Sequence, residues 1–134
     1  MVILAEGEPV FVECHASANF KMSAKQLEAA ITPKTKWLIL NAPSNPTGAG
    51  YHEAELRALA DVLLRHPKVW VLSDDIYEHL AYGNYAFKTI TQIEPKLSGR
   101  TLTVNGVSKS FAMTGWRIGY AGGPKELMTA IGDI

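Results

Sequence analysis

The chain has 134 residues, 47% apolar and 19% charged, a globular composition suited to about one domain. Thirteen basic residues balance thirteen acidic ones, so no net field argues for nucleic acid, a membrane surface or a polyanion as partner. The single Cys14 excludes an internal disulfide, the four scattered histidines exclude a zinc cluster, and neither a signal peptide nor a bilayer-spanning run is visible, so the expectation is a cytoplasmic protein without a metal site.

In chain order, the first strand expected is "PVFVEC" (9–14), a short apolar run with β-branched and aromatic residues. Ser23 followed by Gln26 has capping-box spacing and opens "SAKQLEAAI", a short helix with Leu27, Ala30 and Ile31 on one face. "KWLILN" (36–41) is the second strand. "HEAELRALADVLLRHP" follows, with Leu56, Leu59, Ala60, Leu63 and Leu64 at helical spacing, acidic residues at its start and Pro67 just beyond its end. "VWVLSD" (69–74), "TLTVNG" (101–106) and "RIGYAG" (117–122) complete five expected strands.

Strands alternating with helices predict an α/β domain whose sheet is mostly parallel. In such sheets ligands bind beyond the carboxyl ends of the strands. Polar motifs stand at three of those ends: "NAPSNPTG" after 36–41, "SDDIYEH" after 69–74 and "NGVSKS" after 101–106.

Each motif has a structural and a functional reading. "NAPSNPTG" suits any tight turn, while Asn45 would offer an amide donor to a ligand. Asp74 and Asp75 close a buried run, where a carboxylate either caps a helix or meets a cationic ligand atom. Lys109 is a surface lysine or, if desolvation or a nearby cation lowers its pKa, a nucleophile. Arg117 opens an apolar run and needs an anion, which a salt bridge or a phosphate would supply. Ser108, Ser110 and Thr114 add hydroxyls that bind an anion or cap a helix. One ligand would satisfy all four motifs. Pyridoxal 5′-phosphate offers a carbonyl to Lys109, a protonated ring nitrogen to Asp74, a phenolic oxygen to Tyr77 and Asn45, and a phosphate to Arg117.

On "NAPSNPTG", "SDDIYEHLAYG" and "VNGVSKSFAMTGWRIGYAGGP", in that order, the sequence resembles the fold-type I pyridoxal-phosphate aminotransferases of class I/II, most nearly their bacterial aspartate aminotransferases. The resemblance extends over essentially the whole chain. It implies a three-layer α/β/α fold, with residues 1–134 forming part of the cofactor-binding large domain. By position, Lys109 would bind the cofactor covalently, Asp74 would pair with its ring nitrogen, Tyr77 and Asn45 would bond its 3′ oxygen, and Arg117 would bind its phosphate with help from Ser108. Asp74 rather than Asp75 matches the family's Asp-acidic-Ile-Tyr pattern. Gly106 stands where some members have a further phosphate-binding serine. Family members are considerably longer, and the N-terminal phosphate loop, the ring-stacking aromatic, the C-terminal small domain and its carboxylate-binding arginine have no counterpart here. A fragment is therefore expected, inactive by itself, from a homodimeric parent.

The resemblance implies that the parent transfers an amino group between aspartate or glutamate and a 2-oxo acid such as 2-oxoglutarate or oxaloacetate. Lys109, Asp74 and Tyr77 would be the catalytic residues, with Lys109 also the base that moves a proton from the substrate α-carbon. Two alternatives stand beside this reading. One is another fold-type I chemistry, such as a carbon–sulfur lyase or an aminocyclopropane-forming enzyme. The other is a noncatalytic domain that associates through exposed sheet edges. A nucleotide-binding domain fits poorly, since neither G-x-G-x-x-G nor a Walker motif occurs.

Overall fold

The structure, a computed structural model, describes residues 1–133. Strands β1 (Trp37–Asn41), β2 (Trp70–Asp74), β3 (Thr101–Gly106) and β4 (Gly119–Gly122) form one sheet in the order β1-β2-β3-β4. The first three run parallel and β4 runs antiparallel to β3, so the mostly parallel α/β architecture expected from the sequence is the one observed.

Parallel neighbours need a crossover long enough to bring the chain back to the starting edge. Helix α2 (Glu53–Arg65) supplies it between β1 and β2, and α3 (Ile90–Ile93) with the 3-10 turn Pro95–Arg100 supplies it between β2 and β3. The two remaining helices are α1 (Ala24–Ala30), before β1, and α4 (Lys125–Gly132), after β4. The local signals act as their spacing suggests. Ser23 and Gln26 bond each other's backbone N–H groups at the start of α1, at 3.0 and 3.3 Å. Glu55 reaches back to the His52 N–H at 2.7 Å at the start of α2.

Alternation along the strands separates two faces of the sheet. Leu40 and Val71 lie in one core with Leu56, Leu59, Ala60, Val62 and Leu63 of α2, Leu27 of α1, Ile90 and Ile93 of α3, and Leu97. Burying each of the Leu, Ile and Val side chains among these contributes roughly 1.5–3 kcal/mol. On the opposite face Trp37 and Ile39 remain 39% and 52% exposed, and the Trp37 and Trp70 rings meet with centroids 5.6 Å apart. The face that α2 covers is thus the one that anchors the sheet.

Two strand expectations are corrected. Residues 9–14 form no strand: Val12 and Cys14 pack on the core while Val10 and Phe11 are exposed, and the Glu13 carbonyl accepts from the Gln26 side chain at 2.9 Å. Its inward residues meet the core while the segment stays outside the sheet, whose edge strands are β1 and β4. The run from 117 begins as strand only at Gly119, because Arg117 sits in the left-handed region (φ 54°) at the end of a 3-10 turn, Thr114–Trp116. Helices α3 and α4 were not anticipated. One is a single turn, too short to show a period, and the other follows directly on Pro124.

The end of α2 is closed by Arg100. Its guanidinium donates to the carbonyls of Leu63 at 2.6 Å, His66 at 3.2 Å and Val69, adding a charged donor to the Leu63 and His66 carbonyls, which also accept from the His66 and Val69 N–H groups, at the helix C-terminus and the entry to β2.

Candidate active site

The three parallel strands end side by side, and the chain leaving each one carries one of the polar motifs. At the end of β1, Asn41 works in two directions: its Nδ2 donates to the Asp74 carbonyl at 3.1 Å and its Oδ1 accepts from the Asn45 N–H at 3.0 Å. Asn41 thereby ties the first turn to the end of β2. The turn itself is closed by Ser44 N–H to Ala49 O (2.9 Å) and Gly48 N–H to Ser44 O (2.7 Å), with Gly48 at φ 71°. Asn45 is exposed, and its Nδ2 donates to the Tyr77 hydroxyl at 3.1 Å.

Register places Asp74 beside Asn41, on the sheet face away from α2. Its carboxyl, half-buried, accepts among the described residues only from the Ile76 N–H, at a long 3.3 Å. Asp75 goes the other way. It is 4% exposed and takes a 2.7 Å bond from the hydroxyl of Ser73, a buried residue of the packed face. Burial pushes its pKa up, opposed by the Ser73 and Thr89 hydroxyls. The two neighbouring carboxylates are therefore distinguishable by environment, one available to a ligand and one committed to the interior.

Past β3, Gly106 leads into the turn that bears Ser108, half-buried, and Lys109, exposed. A Cβ at Gly106 would lie 3.1 Å from the Ile118 carbonyl, where the chain returns into β4, so a residue without a side chain suits this close approach. The turn is held by Ala112 N–H to Lys109 O (3.1 Å) and Met113 N–H to Val107 O (3.4 Å). Lys109 enters none of the ion pairs among the described residues. The Ser110 hydroxyl is buried without a hydrogen-bond partner among the described residues. Arg117 is exposed, and its guanidinium bonds the Thr114 carbonyl at 3.1 Å.

Of the residues singled out from sequence, Asn45 and Tyr77 are in direct contact, Asp74 joins them through Asn41, and Ser108 and Lys109 lie on the next turn along the same edge. Arg117 follows on the return toward β4, with no hydrogen bond to the others among the described residues. Sequence reasoning passed over Asn41, the Ser73–Asp75–Thr89 cluster, and the pair Glu78 and Asn105, whose side chains meet at 2.6 Å. Asn41 carried a readable signal, a polar residue closing an apolar run. The rest depend on which strands become neighbours. No group of three or more His, Cys, Asp or Glu suited to a metal occurs among the described residues, and no helix among them is long and apolar enough to cross a membrane.

A mostly parallel sheet with amide, carboxylate, phenol, amine and guanidinium groups along one carboxyl edge defines an α/β domain with polar groups gathered where such sheets bind their ligands. The family model described as "Aminotransferase class I and II" matches residues 1–134, and the chain belongs to that family. An aspartate aminotransferase of Rhizobium meliloti (strain 1021) is 60% identical over all 134 residues, and an aspartate/prephenate aminotransferase of Cereibacter sphaeroides is 61% identical over the same length. The alignments cover 33% and 34% of those two proteins, so the chain spans about a third of the length of the curated relatives it matches. The crystal structure of the aspartate aminotransferase from Rhizobium meliloti superposes with a TM-score of 0.94 at 60% identity, over 96% of this chain and 32% of that one. The described residues thus form a partial α/β fold of the aminotransferase type.

Proposed function

We propose that residues 1–134 are part of the cofactor-binding large domain of a pyridoxal-phosphate aminotransferase that exchanges amino groups between aspartate, or another amino acid, and a 2-oxo acid such as 2-oxoglutarate. The observation that carries this is the 3.1 Å contact of the Asn45 amide with the Tyr77 hydroxyl beside Asp74, on the edge that also bears Lys109. Two donors side by side suit an anionic phenolic oxygen, and the half-buried Asp74 carboxyl, bonded only weakly, suits a protonated ring nitrogen. The unpartnered Ser110 hydroxyl and the Arg117 guanidinium add polar groups for a phosphate. The donor set fits the group.

When bound, pyridoxal phosphate supplies an electron sink for the carbanion formed at the substrate α-carbon. The chain's own residues do the rest. Lys109 Nζ would hold the cofactor covalently, and its amine, once freed by the incoming substrate, would take the α-proton and deliver it to the carbon that becomes the new amine centre. Asp74 would keep the ring nitrogen charged by offering it a fixed carboxylate. Tyr77 and Asn45 would orient the ring and set the electron demand at its phenolic oxygen. Arg117, with Ser108, would anchor the phosphate. A homodimeric assembly and a cytoplasmic setting belong to the same proposal, supported by the resemblance to the family and, for the compartment, by the lone Cys14.

The test is to add pyridoxal phosphate to the intact protein, reduce with borohydride and locate the modified lysine by mass spectrometry, then assay amino exchange. Modification at Lys109 with exchange between aspartate and 2-oxoglutarate is expected. Modification of other lysines alone, or of none, would sink the assignment. Release of ammonia or a thiol without exchange would point to the lyase alternative.

A further inference from the structure

Backbone pairing between β2 and β3 ends with the Asp75 N–H bonded to the Val104 carbonyl at 3.0 Å. Beyond it the two chains part, one into the segment bearing Tyr77 and the other into the turn bearing Lys109. Among the described residues no backbone hydrogen bond joins 76–80 to 105–112; Glu78 N–H to Asp75 O, Leu80 N–H to Tyr77 O, Ala112 N–H to Lys109 O and Met113 N–H to Val107 O each close a turn on itself, and Val107 N–H bonds Ile118 O on the approach to β4. Side chains bridge the gap instead. Asn105 Nδ2 donates to Glu78 Oε1 at 2.6 Å, while Asn105 Oδ1 accepts from the Gly106 N–H at 2.7 Å, which fixes the orientation of the amide. His79 sets its ring edge-on to Phe111, with centroids 6.0 Å apart. Glu78 and His79 directly follow Tyr77, and Asn105 and Phe111 flank the Lys109 turn.

We propose that Glu78 and Asn105 are positioning residues, a charge-assisted hydrogen bond that holds the segment carrying Asp74 and Tyr77 in register with the turn carrying Lys109. This rests on the function proposed above. The Glu78 carboxylate, 26% exposed, also faces His79 at 3.5 Å, and Asp74 and Asp75 stand on its own segment. A bond between a carboxylate and a neutral amide across two loops fixes their separation without adding a group that reacts. A small displacement between a proton-transferring amine and the groups that hold its partner lowers the rate steeply, so a bridge at this point bears on the chemistry as well as on stability.

The experiment uses the intact protein with pyridoxal phosphate and titrates the cofactor's visible absorption band against pH. Glu78→Ala and Asn105→Ala are each expected to raise the midpoint by about half a pH unit or more, because the Tyr77 and Asn45 donors no longer sit squarely on the phenolic oxygen. The double variant is expected to shift no further than either single one, since both remove the same bond. In the cofactor-free protein, amide hydrogen exchange across 105–112 is expected to quicken about threefold or more in either alanine variant. Glu78→Gln, whose amide oxygen accepts from the same Asn105 amine, is expected to retain the original midpoint. If an alanine variant fails to fold, Asn105→Asp replaces it: the new carboxylate opposes that of Glu78 and raises the midpoint, and adding Glu78→Gln restores the bond with reversed polarity and reverses the shift. Unchanged midpoints and exchange rates, or additive shifts, would overturn the bridge while leaving the cofactor site standing. Failure of the unsubstituted protein to develop the band at all would overturn the proposed function, and the bridge with it.

Discussion

The two ends of the sheet handle their charged groups in opposite ways. At the amino end, Arg100 spends its guanidinium on the carbonyls of Leu63, His66 and Val69, and Glu28 is bonded by both Arg65 and His66, the latter at 2.7 Å. The hydrogen bond from His66, ahead of that from Arg65, draws the Glu28 carboxyl below its ordinary pKa. At the carboxyl end, Lys109 joins no ion pair among the described residues, Arg117 meets one carbonyl, and the Ser110 hydroxyl has no partner. Cations consumed by the chain's own acceptors serve the fold. Cations left over beside half-buried polar groups are what a ligand site requires.

That contrast can be broken from either end. The largest effect is expected from Lys109→Ala in the intact protein, which should lower amino exchange at least a thousandfold, about 4 kcal/mol of transition-state stabilisation, while changing unfolding free energy by less than about 0.5 kcal/mol. Steady-state exchange assays beside urea unfolding check both halves. A lysine needed for stability, or dispensable for exchange, would erase the distinction. Leu63→Ala, at a fully buried position on α2, should cost about 2–5 kcal/mol of stability by the same unfolding measurement. Arg100→Ala should cost about 2 kcal/mol, because three carbonyls lose one charged donor, and should leave the spectrum of any bound cofactor unaltered.

The smallest effect sharpens the comparison between Asp74 and Asp75. A carboxyl whose folded pKa lies above its unfolded value binds more protons in the folded state, so stability falls as pH rises from the unfolded value toward the folded one and stays lowered above it. For Asp75 that decline starts near the ordinary value of 3.8. Asp75→Asn keeps an oxygen for the Ser73 hydroxyl and carries no charge to bury. It should melt up to a few degrees higher than the unsubstituted protein at pH 7, and the gain should vanish below about pH 4. Thermal melts at both pH values decide it. An equal gain at both would mean that the buried charge is not the cause.

The positions of the candidate site residues along one edge were legible because their signals are local. Lys109, Asp74, Tyr77 and Asn45 each stand a few residues beyond a strand-like run, and an α/β chain with parallel strands delivers such residues to one edge. Glu78 and Asn105 were not legible, since they are 27 residues apart and meet only once β2 and β3 are neighbours. Residues 9–14 show the opposite failure, in which a strand-like composition met the core without finding a strand to pair with.

The sequence by itself determined the capping of α1 and α2, the apolar stripe of α2, the β3 span and the identity of the three polar motifs, because those follow from groups within a few residues of one another. Tertiary structure alone decided which of Asp74 and Asp75 meets the packed face, that Arg117 leaves its expected strand for a left-handed turn, and that side chains rather than backbone bridge the Tyr77 and Lys109 segments. Those outcomes depend on which distant segments share an edge or a face, and the hydrophobic burial that selects neighbours is non-directional and leaves no local pattern to read.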